Sequence, residues 1–309
     1  MLSLFDLHCD TAYEMYKRKQ SLQRNDLAVS LQDASVFDRY TQVMALWTDR
    51  SLSDERGWQQ MHRMLRHLLE DETIRRKDMR LATDAVSLDS HKRIFFLGIE
   101  DARILAGDAS RVDRLFDLGI RFLTPLWSGE TCIGGSHDTA SGLTAFGRAA
   151  LNRATARGML CDISHASEAS AENIFSIADQ YASPVLATHS NAYAVCPVSR
   201  NLRDWQIREI LRTGGLIGLN LYPPFLKKDG TEHALESVLP HIEHFLTLGA
   251  ENALALGCDM DGGDLPPDIP SLSALPRLAE QLSKHGYSDA LIDRIFYRNA
   301  AEFAKKHLT

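Results

Sequence analysis

The sequence lacks the features by which proteins bind nucleic acids or insert into membranes. Its longest uninterrupted runs of Lys and Arg are three residues, and 41 acidic against 34 basic side chains give a formal net charge of −7. This balance excludes the basic footprint that a polyanionic partner needs. No apolar stretch approaches the ~18 residues of a membrane span, and no basic segment followed by an apolar one opens the chain. We therefore expect a cytoplasmic protein with neither a nucleic-acid nor a membrane partner.

Cysteine is scarce and scattered. The five cysteines are an odd number and contain no Cys-x-x-Cys pair, which excludes a disulfide framework and a zinc knuckle. The chain also has no low-complexity linker and no internal repeat that would divide it. With 309 residues, of which 44% are hydrophobic, it is long enough to bury a sizeable core. The simplest prediction is a single domain spanning residues 1–309.

Short runs rich in apolar residues recur along the chain, each followed by a segment with helical spacing. Most runs are continuously apolar instead of alternating, which is typical of strands buried on both faces of a parallel sheet. Such strands alternating with helices predict a (β/α)8 TIM barrel, with an open doubly wound sheet as the alternative. The eight runs are residues 4–8, 42–47, 94–100, 120–125, 159–165, 184–189, 216–221 and 253–259.

Helical segments are indicated by apolar side chains every three or four residues. The clearest stripe contains Trp58, Met61 and Met64, with Ser53 or Asp54 as the cap of its helix. Similar stripes occur within residues 143–158, 205–214, 238–246 and 291–303. Histidines in or beside these segments are predicted to face solvent: His62, His67, His241, His244, His285 and His307.

Residues that bind metal ions follow five of the eight runs. In a barrel the C-terminal ends of the strands meet at one mouth, so these residues would be neighbours there. The first two are two residues apart, a spacing that places side chains on the same side of a strand. A mononuclear zinc site needs about three protein ligands, so the larger set favours two metal ions. The candidates are His8, Asp10, Glu100, His165, His189 and Asp259.

Glu100 ends a strongly apolar run, where an unpaired carboxylate would be costly to desolvate. A salt bridge with Arg103 is one solution. The alternative, which we favour, is that Glu100 bridges two cations and lowers their repulsion at the spacing of about 3.5–4 Å found in two-metal sites. His165 and His189, which follow runs of similar design, would complete the second metal site.

Four polar residues after the later runs have candidate roles besides metal binding. Asp259 could accept a proton from a metal-activated water and deliver it to a leaving amine, whereas Asp261 could be an Asx-turn residue. Arg200 could clamp a substrate carboxylate with its bidentate fork, or form a surface ion pair of little effect. His137, in a Gly-rich loop after the fourth run, could reach over the mouth.

A resemblance to the membrane (renal-type) dipeptidase family of zinc metallopeptidases covers residues 4–304. The segment Tyr297-Arg298-Asn299-Ala300-Ala301 resembles the C-terminal region of that family more loosely. The order and spacing of the motifs carry the resemblance. These motifs are Asp6-x-His8-x-Asp10-Thr11, Gly98-Ile99-Glu100, Asp162-Ile163-Ser164-His165, Thr188-His189-Ser190 with Arg200-Asn201, and Asp259-Met260-Asp261-Gly262.

This resemblance implies an amidohydrolase-type barrel that holds two zinc ions and hydrolyses dipeptides, including those with a D-residue at the C-terminal position. It implies that a hydroxide bridging the ions attacks the peptide carbonyl, that Asp259 moves the proton and that Arg200 binds the C-terminal carboxylate. Because many relatives are homodimers, it also implies a homodimer. The implied zinc ligands are His8 and Asp10 for one ion, His165 and His189 for the other, and Glu100 for both.

Two positions depart from the family pattern. Pro125 stands where many members have a histidine that contacts the substrate, and Asp101 stands where a glycine usually follows the bridging glutamate. Asp101 would add a carboxylate to the mouth. Either Trp127, Ser128 or His137 supplies the missing contact, or the substrate differs. The predicted substrate contacts are Arg200, Asn201, Trp127, His137 and Tyr222.

Two other functions remain open on the sequence. A related amidohydrolase that acts on N-acyl amino acids, or on another small amide or ester, is the alternative enzyme, motivated by Pro125. A catalytically silent barrel that binds a small ligand is the alternative from a different class. The competent residue at every ligand position argues against the silent barrel.

Overall fold

A parallel β-barrel forms the centre of the protein. The computed structural model describes residues 1–230 and 233–308. Strands pair in the order β7-β6-β5-β4-β2-β1-β9-β8, and β3 pairs with β4 outside this path. The strands in the described residues are β1 Leu4–Cys9, β2 Tyr40–Trp47, β3 Arg80–Leu81, β4 Arg93–Glu100, β5 Ile120–Thr124, β6 Leu160–Asp162, β7 Val185–Leu186, β8 Ile217–Leu219 and β9 Leu254–Leu256.

The barrel closes between β7 and β8. Ala187, directly after β7, forms a parallel bridge with Ile217 of β8. The Ala187 N–H donates to the Leu216 carbonyl at 2.9 Å, and the Gly218 N–H donates to the Ala187 carbonyl at 2.7 Å. The predicted TIM barrel is confirmed and the open doubly wound sheet is wrong. The short strand β3 was not predicted from the sequence.

Side chains along each strand point alternately into the barrel interior and into the layer between the strands and the helices. In β4, Ile94 and Phe96 belong to one buried apolar cluster, whereas Phe95, Leu97 and Ile99 belong to the other. The first cluster is the barrel interior, which also contains Phe5 and Phe122; their rings each lie 6.0 Å from that of Phe96 between centroids. Both faces of the strands are therefore buried, which explains their continuously apolar runs.

The helices surround the barrel. The stripe of Trp58, Met61 and Met64 is buried on α2, as predicted. The last predicted stripe falls on α13, a π-helical turn over Arg294–Arg298, and α14. The α-helices are α1 Thr11–Arg18, α2 Asp54–Glu70, α3 Glu72–Arg75, α4 Val86–Ser90, α5 Arg111–Asp117, α6 Ala145–Ala156, α7 Glu168–Gln180, α8 Asp204–Thr213, α9 Pro223–Leu226, α10 Ala234–Ser237, α11 Leu239–Thr247, α12 Pro276–Lys284, α13 Asp289–Asp293 and α14 Asn299–His307.

The six helical histidines match the predicted solvent exposure to different degrees. His285 is exposed, whereas His62, His67, His244 and His307 are half-buried. His241 on α11 is completely buried. Its Nδ1 accepts from the Ala192 N–H at 3.1 Å, and its Nε2 lies 3.0 Å from the Leu226 carbonyl, to which it donates. The prediction for His241 was wrong. Its ring does make polar contacts, but the partners are two buried backbone groups and not water. Among the helices of residues 1–230 and 233–308, none has the length and apolar character needed to cross a bilayer.

The strands that carry the later site residues are shorter than the predicted runs. β6, β7 and β9 end at Asp162, Leu186 and Leu256, several residues before the histidines and aspartate that were predicted to close them. His165 and Asp259 instead lie in turns with left-handed backbone, at φ of 70° and 61°. Such values are uncommon for residues other than glycine and occur often at functional sites.

Candidate metal centre and active site

The carboxylate of Glu100 lies at the centre of the predicted ligands, and its two oxygens face different partners. Oε2 lies 3.3 Å from His8 Nε2, which in turn lies 3.5 Å from Asp10 Oδ2. Oε1 lies 2.9 Å from His165 Nε2 and 3.5 Å from His189 Nε2. The five side chains therefore form two groups that share Glu100. Within each group the potential ligand atoms lie within 4.8 Å of one another.

The hydrogen-bonding state of these groups fits bound cations. His8 Nε2 and Asp10 Oδ1 are buried without a hydrogen-bond partner. His165 Nδ1 lies 2.9 Å from the Trp127 carbonyl, which can only accept, so the proton of a neutral ring is on Nδ1 and the lone pair is on Nε2. That lone pair faces His189 Nε2 at 3.0 Å and Glu100. A cation among these atoms would satisfy all of them, and imidazole with carboxylate is a ligand set for zinc.

Electrostatics at the cluster also favour a cation. Burial, with the neighbouring carboxylates of Asp10 and Asp259 and against the opposing effect of His8, raises the pKa of Glu100 to about 7. Burial lowers the pKa of His165 and of His189 well below the ordinary value, which keeps both rings neutral. Histidine binds a metal ion as neutral imidazole and glutamate binds it as carboxylate, so His165 and His189 are already in the binding state, whereas Glu100 loses its proton when a cation binds.

The geometry at the end of β1 differs from the one predicted. Asp10 lies after the strand, at the N-terminus of α1, instead of following His8 on one face of it. The register between β1 and β2 shifts between Asp6 and Cys9. Phe5 and Leu7 belong to the interior cluster, so strict alternation would direct His8 away from the mouth. The irregularity re-aims the His8 ring, a known effect of β-bulges.

Two buried aspartates support the ligands from below. Asp6 accepts from the N–H of His8 at 3.0 Å and, through its other oxygen, from the N–H of Cys258 at 3.0 Å. Asp162 accepts from the N–H of Ser164 at 2.8 Å and from that of Thr188 at 3.0 Å. Each aspartate thus ties together the ends of two strands next to site residues. The sequence placed both aspartates in the motifs but gave them no role.

Asp259 is held at the edge of the cluster. Its Oδ2 accepts from Asn220 Nδ2 at 2.9 Å, and its Oδ1 lies 3.8 Å from His8 Nε2. Asp261 points elsewhere: its carboxylate accepts from the Ala28 N–H at 2.7 Å and from the Thr11 hydroxyl at 2.6 Å. Asp261 is therefore an anchor between distant segments, and the predicted Asx turn does not describe its side chain.

Arg200 is a buried cation without a carboxylate partner among the described residues. Its guanidinium makes long hydrogen bonds of 3.4 Å to the Ser190 hydroxyl and 3.3 Å to the His189 carbonyl. Its Nε has no hydrogen-bond partner. Within residues 1–230 and 233–308 Arg200 does not form the surface ion pair considered from the sequence, and its buried charge is available for an anionic group of a ligand.

A cavity of about 500 Å³ opens over the cluster. Of the predicted substrate contacts, Arg200, Trp127, His137 and Tyr222 line it, whereas Asn201 does not. The Asn201 amide donates to the Cys196 and Phe225 carbonyls at 2.9 Å each and so fixes the neighbouring loops. His137 Nδ1 lies 2.9 Å from the Ser199 hydroxyl, and burial, with Arg200 nearby, lowers the pKa of His137 to about 4.

Asp101 does not add charge to the mouth, contrary to the expectation. The side chain is fully buried and pairs with Arg50 at 2.9 Å and with Arg103 at 3.2 Å. The same contacts remove the alternative partner of Glu100, because Arg103 is directed to Asp101 and to Asp54. Asp101 adopts φ 66°, the backbone conformation for which glycine is favoured.

Several residues that line the cavity were not identified from the sequence. Tyr13 and Glu14 reach it from α1, and Trp47 reaches it from the end of β2. Trp47 was visible as the last residue of the second apolar run, the position that supplies ligands elsewhere, but tryptophan is not a ligand type. Asn220, which holds Asp259, lies within the seventh run and directly follows β8.

Comparisons with known proteins agree with this geometry. A protein of Klebsiella pneumoniae described only by its position in the pqqA 5′ region is 34% identical over 212 residues, which cover 65% of this chain and 77% of that protein. Dipeptidase aclJ of Aspergillus oryzae is 30% identical over 201 residues, 62% of this chain. The chain spans about half the length of the fungal protein, with 46% of the latter covered.

Two solved structures superpose closely on this chain. Each superposition covers 99% of this chain and 99% of the solved chain. One is a metallopeptidase named dipeptidase AC, with 25% identity and a TM-score of 0.92. The other, at 24% identity and a TM-score of 0.91, is a Rhodobacter sphaeroides metallopeptidase with a phosphinate mimic of L-Ala-D-Ala bound. The sequence profile of membrane dipeptidases matches residues 1–306. The chain belongs to the membrane dipeptidase family, peptidase family M19.

Proposed function

We propose that this protein is a two-zinc dipeptidase that hydrolyses dipeptides, including those with a D-residue at the C-terminal position. The observation that carries the proposal is the division of the Glu100 carboxylate, one oxygen facing His8 and the other facing His165 and His189. The family supports a metal-dependent peptide hydrolase. The dipeptide mimic in the Rhodobacter relative supports the D-residue.

In this proposal His8 and Asp10 hold one ion, His165 and His189 hold the other, and Glu100 contacts both. Two zinc ions, when bound there, lower the pKa of a water molecule and polarise a peptide carbonyl. The carbonyl of Trp127 next to His165 Nδ1 fixes the ring so that Nε2 remains the ligand atom.

Two other side chains handle the substrate. Asp259 Oδ1, close to His8, takes a proton from the attacking water and returns it to the amine that leaves. Asn220 orients this carboxylate through its other oxygen. The buried Arg200 binds the C-terminal carboxylate, since an anion is the partner that this unpaired guanidinium lacks.

Zinc-loaded protein should therefore hydrolyse L-Ala-D-Ala and L-Ala-L-Ala. Replacement Glu100→Gln should remove at least one zinc equivalent and lower kcat/KM more than about 100-fold, since even partners of ligands contribute about 10- to 100-fold to metal affinity. Glu209→Gln is the matched control, because Glu209 lies on α8 outside the cavity lining, where it pairs with Arg212. Turnover of N-acetyl-alanine with none of the dipeptides would instead support the alternative amidohydrolase. Zinc content that Glu100→Gln does not change would contradict the two-metal site.

A further inference from the structure

Aromatic side chains form one side of the cavity. We call Tyr13, Trp47 and Trp127 the aromatic wall; all three line the cavity. The rings of Tyr13 and Trp47 meet edge to face with centroids 4.8 Å apart, and those of Trp47 and Trp127 are 5.3 Å apart in a similar arrangement. These contacts fix the rings against one another. The aromatic wall is a preformed apolar surface at the mouth.

The order of the strands places the aromatic wall across the mouth from Arg200. Trp47 is the last residue of β2, and Arg200 lies in the loop after β7. In the closed barrel these two strands are separated by three strands on one side and three on the other. The ligand cluster lies between them, and Trp47 pairs in register with Glu100. Trp47, with Tyr13 against it, thus lies beside the bridging carboxylate on the side remote from Arg200. Trp127 follows β5 and extends the aromatic wall toward His165, whose ring lies 6.2 Å from it between centroids.

This placement defines which part of a substrate the aromatic wall meets. A dipeptide whose carboxylate binds Arg200 and whose carbonyl lies at Glu100 continues for one more residue, about 3.3–3.6 Å of extended chain. That residue is the N-terminal one. Its side chain therefore reaches the β2 side of the mouth.

The charges near the aromatic wall indicate the chemistry of that side chain. Glu14, on the same helix as Tyr13, is already paired with Arg18 at 2.6 Å and lies 3.4 Å from Lys17. Lys17 also lies over the Tyr13 ring, 5.4 Å from its centroid. Lys17 and Arg18 share the single carboxylate of Glu14, and both are about half exposed or more, so water screens their remaining charge. Asp259, on the adjoining lining, would repel an acidic side chain.

We propose that the aromatic wall is the binding subsite for the side chain of the N-terminal residue, and that it selects bulky apolar or aromatic side chains. This proposal rests on the proposed dipeptidase function. Trp47 is the specificity-determining residue because it is the middle ring of the aromatic wall and contacts both of the others.

The test compares L-Phe-D-Ala, L-Ala-D-Phe and L-Ala-D-Ala as substrates of the zinc-loaded protein. Wild-type protein should prefer L-Phe-D-Ala to L-Ala-D-Ala in kcat/KM, since apolar pockets discriminate by about 10- to 200-fold. Trp47→Ala should lower this ratio about 10-fold or more, mainly through KM, and Trp47→Phe should restore part of it. The ratio of L-Ala-D-Phe to L-Ala-D-Ala should change much less. Trp205→Ala, on α8, is the control and should leave every ratio unchanged.

The outcomes separate the two proposals. Hydrolysis of all three dipeptides without a preference for N-terminal Phe would overturn the subsite and leave the dipeptidase proposal standing. An equal loss on all three substrates in both Trp47 variants, with zinc content and unfolding midpoint retained, would also overturn it. Absence of hydrolysis of any dipeptide by zinc-loaded wild-type protein would overturn the dipeptidase proposal and the subsite with it.

Discussion

Replacement of Asp162 by alanine should destabilise the fold and weaken metal binding together. Asp162 is completely buried beneath the two histidines that are proposed to hold one metal ion. One of its oxygens accepts both backbone N–H groups of Ser164 and Thr188, and the other accepts the hydroxyls of Thr124 and Thr188. Ser164 and Thr188 directly precede His165 and His189. Loss of this carboxylate removes the connection between β5, β6 and β7 at the level of the site.

The magnitude follows from the groups left without partners. Each buried N–H without an acceptor costs about 1–3 kcal/mol, so the amides of Ser164 and Thr188 together cost about 2–6 kcal/mol. Asp162→Asn retains an oxygen for both amides and exchanges only the acceptor of the two hydroxyls, which can reorient. Its cost should be about 1.5–3 kcal/mol, the value of hydrogen bonds to a charged group. The prediction is therefore a ranking of the two variants, in which Asp162→Ala lowers the free energy of unfolding more than Asp162→Asn does.

Urea unfolding of the zinc-free protein, followed by circular dichroism, measures this order. Zinc titration with a chelating competitor measures the second effect, an affinity about 10- to 100-fold lower in Asp162→Ala, as for other partners of metal ligands. Asp179→Ala is the control, because its ion pair with Arg212 is about half exposed and such pairs contribute little. Equal destabilisation by the two Asp162 variants, or unchanged zinc affinity in the alanine variant, would refute the reasoning.

Three further predictions concern protonation, close packing and proton transfer. Burial lowers the pKa of His241 to about 4. Because the unfolded chain binds a proton near pH 6.5 and the folded chain does not, stability should fall from pH 6.5 to pH 4 by about 3 kcal/mol. Urea midpoints of His241→Gln should show a weaker pH dependence; an unchanged slope would contradict this. A Cβ at Gly257 would collide with the Thr188 carbonyl oxygen, so Gly257→Ala should lower the unfolding midpoint far more than Gly158→Ala, where nothing lies within 4 Å and only the φ of 82° adds strain. Asp259→Asn should reduce kcat about 10²- to 10⁴-fold with zinc content retained, and a kcat within a few-fold of wild type would exclude the proton role.

The burial of the strands on both faces could be predicted from the sequence, because it follows from the apolar composition of each short segment. Phe95, Phe96, Leu97 and Ile99 are continuously apolar, and burial on both faces of β4 is what that composition requires. The position of Glu100 after this run likewise predicted a buried carboxylate at the mouth. Both inferences use only neighbours in the chain and the rule that barrel sites lie at the C-terminal ends of strands.

Other features could not be predicted because they depend on contacts between distant segments. The side chain of Asp101 pairs with Arg50 and Arg103, and its burial follows from where those arginines come to lie. His241 is buried because Ala192 and Leu226 present backbone groups to both of its nitrogens. The residues next to Asp101 and His241 in the sequence give no sign of these contacts, because most of the partners come from distant segments.

The amino-acid sequence by itself determined which residue types stand at the strand ends, and thereby the family, the barrel and the candidate ligands. Only the tertiary structure decided that the register shift in β1 turns His8 toward Glu100 and that the two oxygens of Glu100 face separate groups. It also decided that Trp47 stands across the mouth from Arg200. The physical reason is that apolar runs and ligand types are properties of short segments, whereas these directions arise from closing the barrel between Ala187 and Ile217, where the pairing of all the strands fixes them jointly.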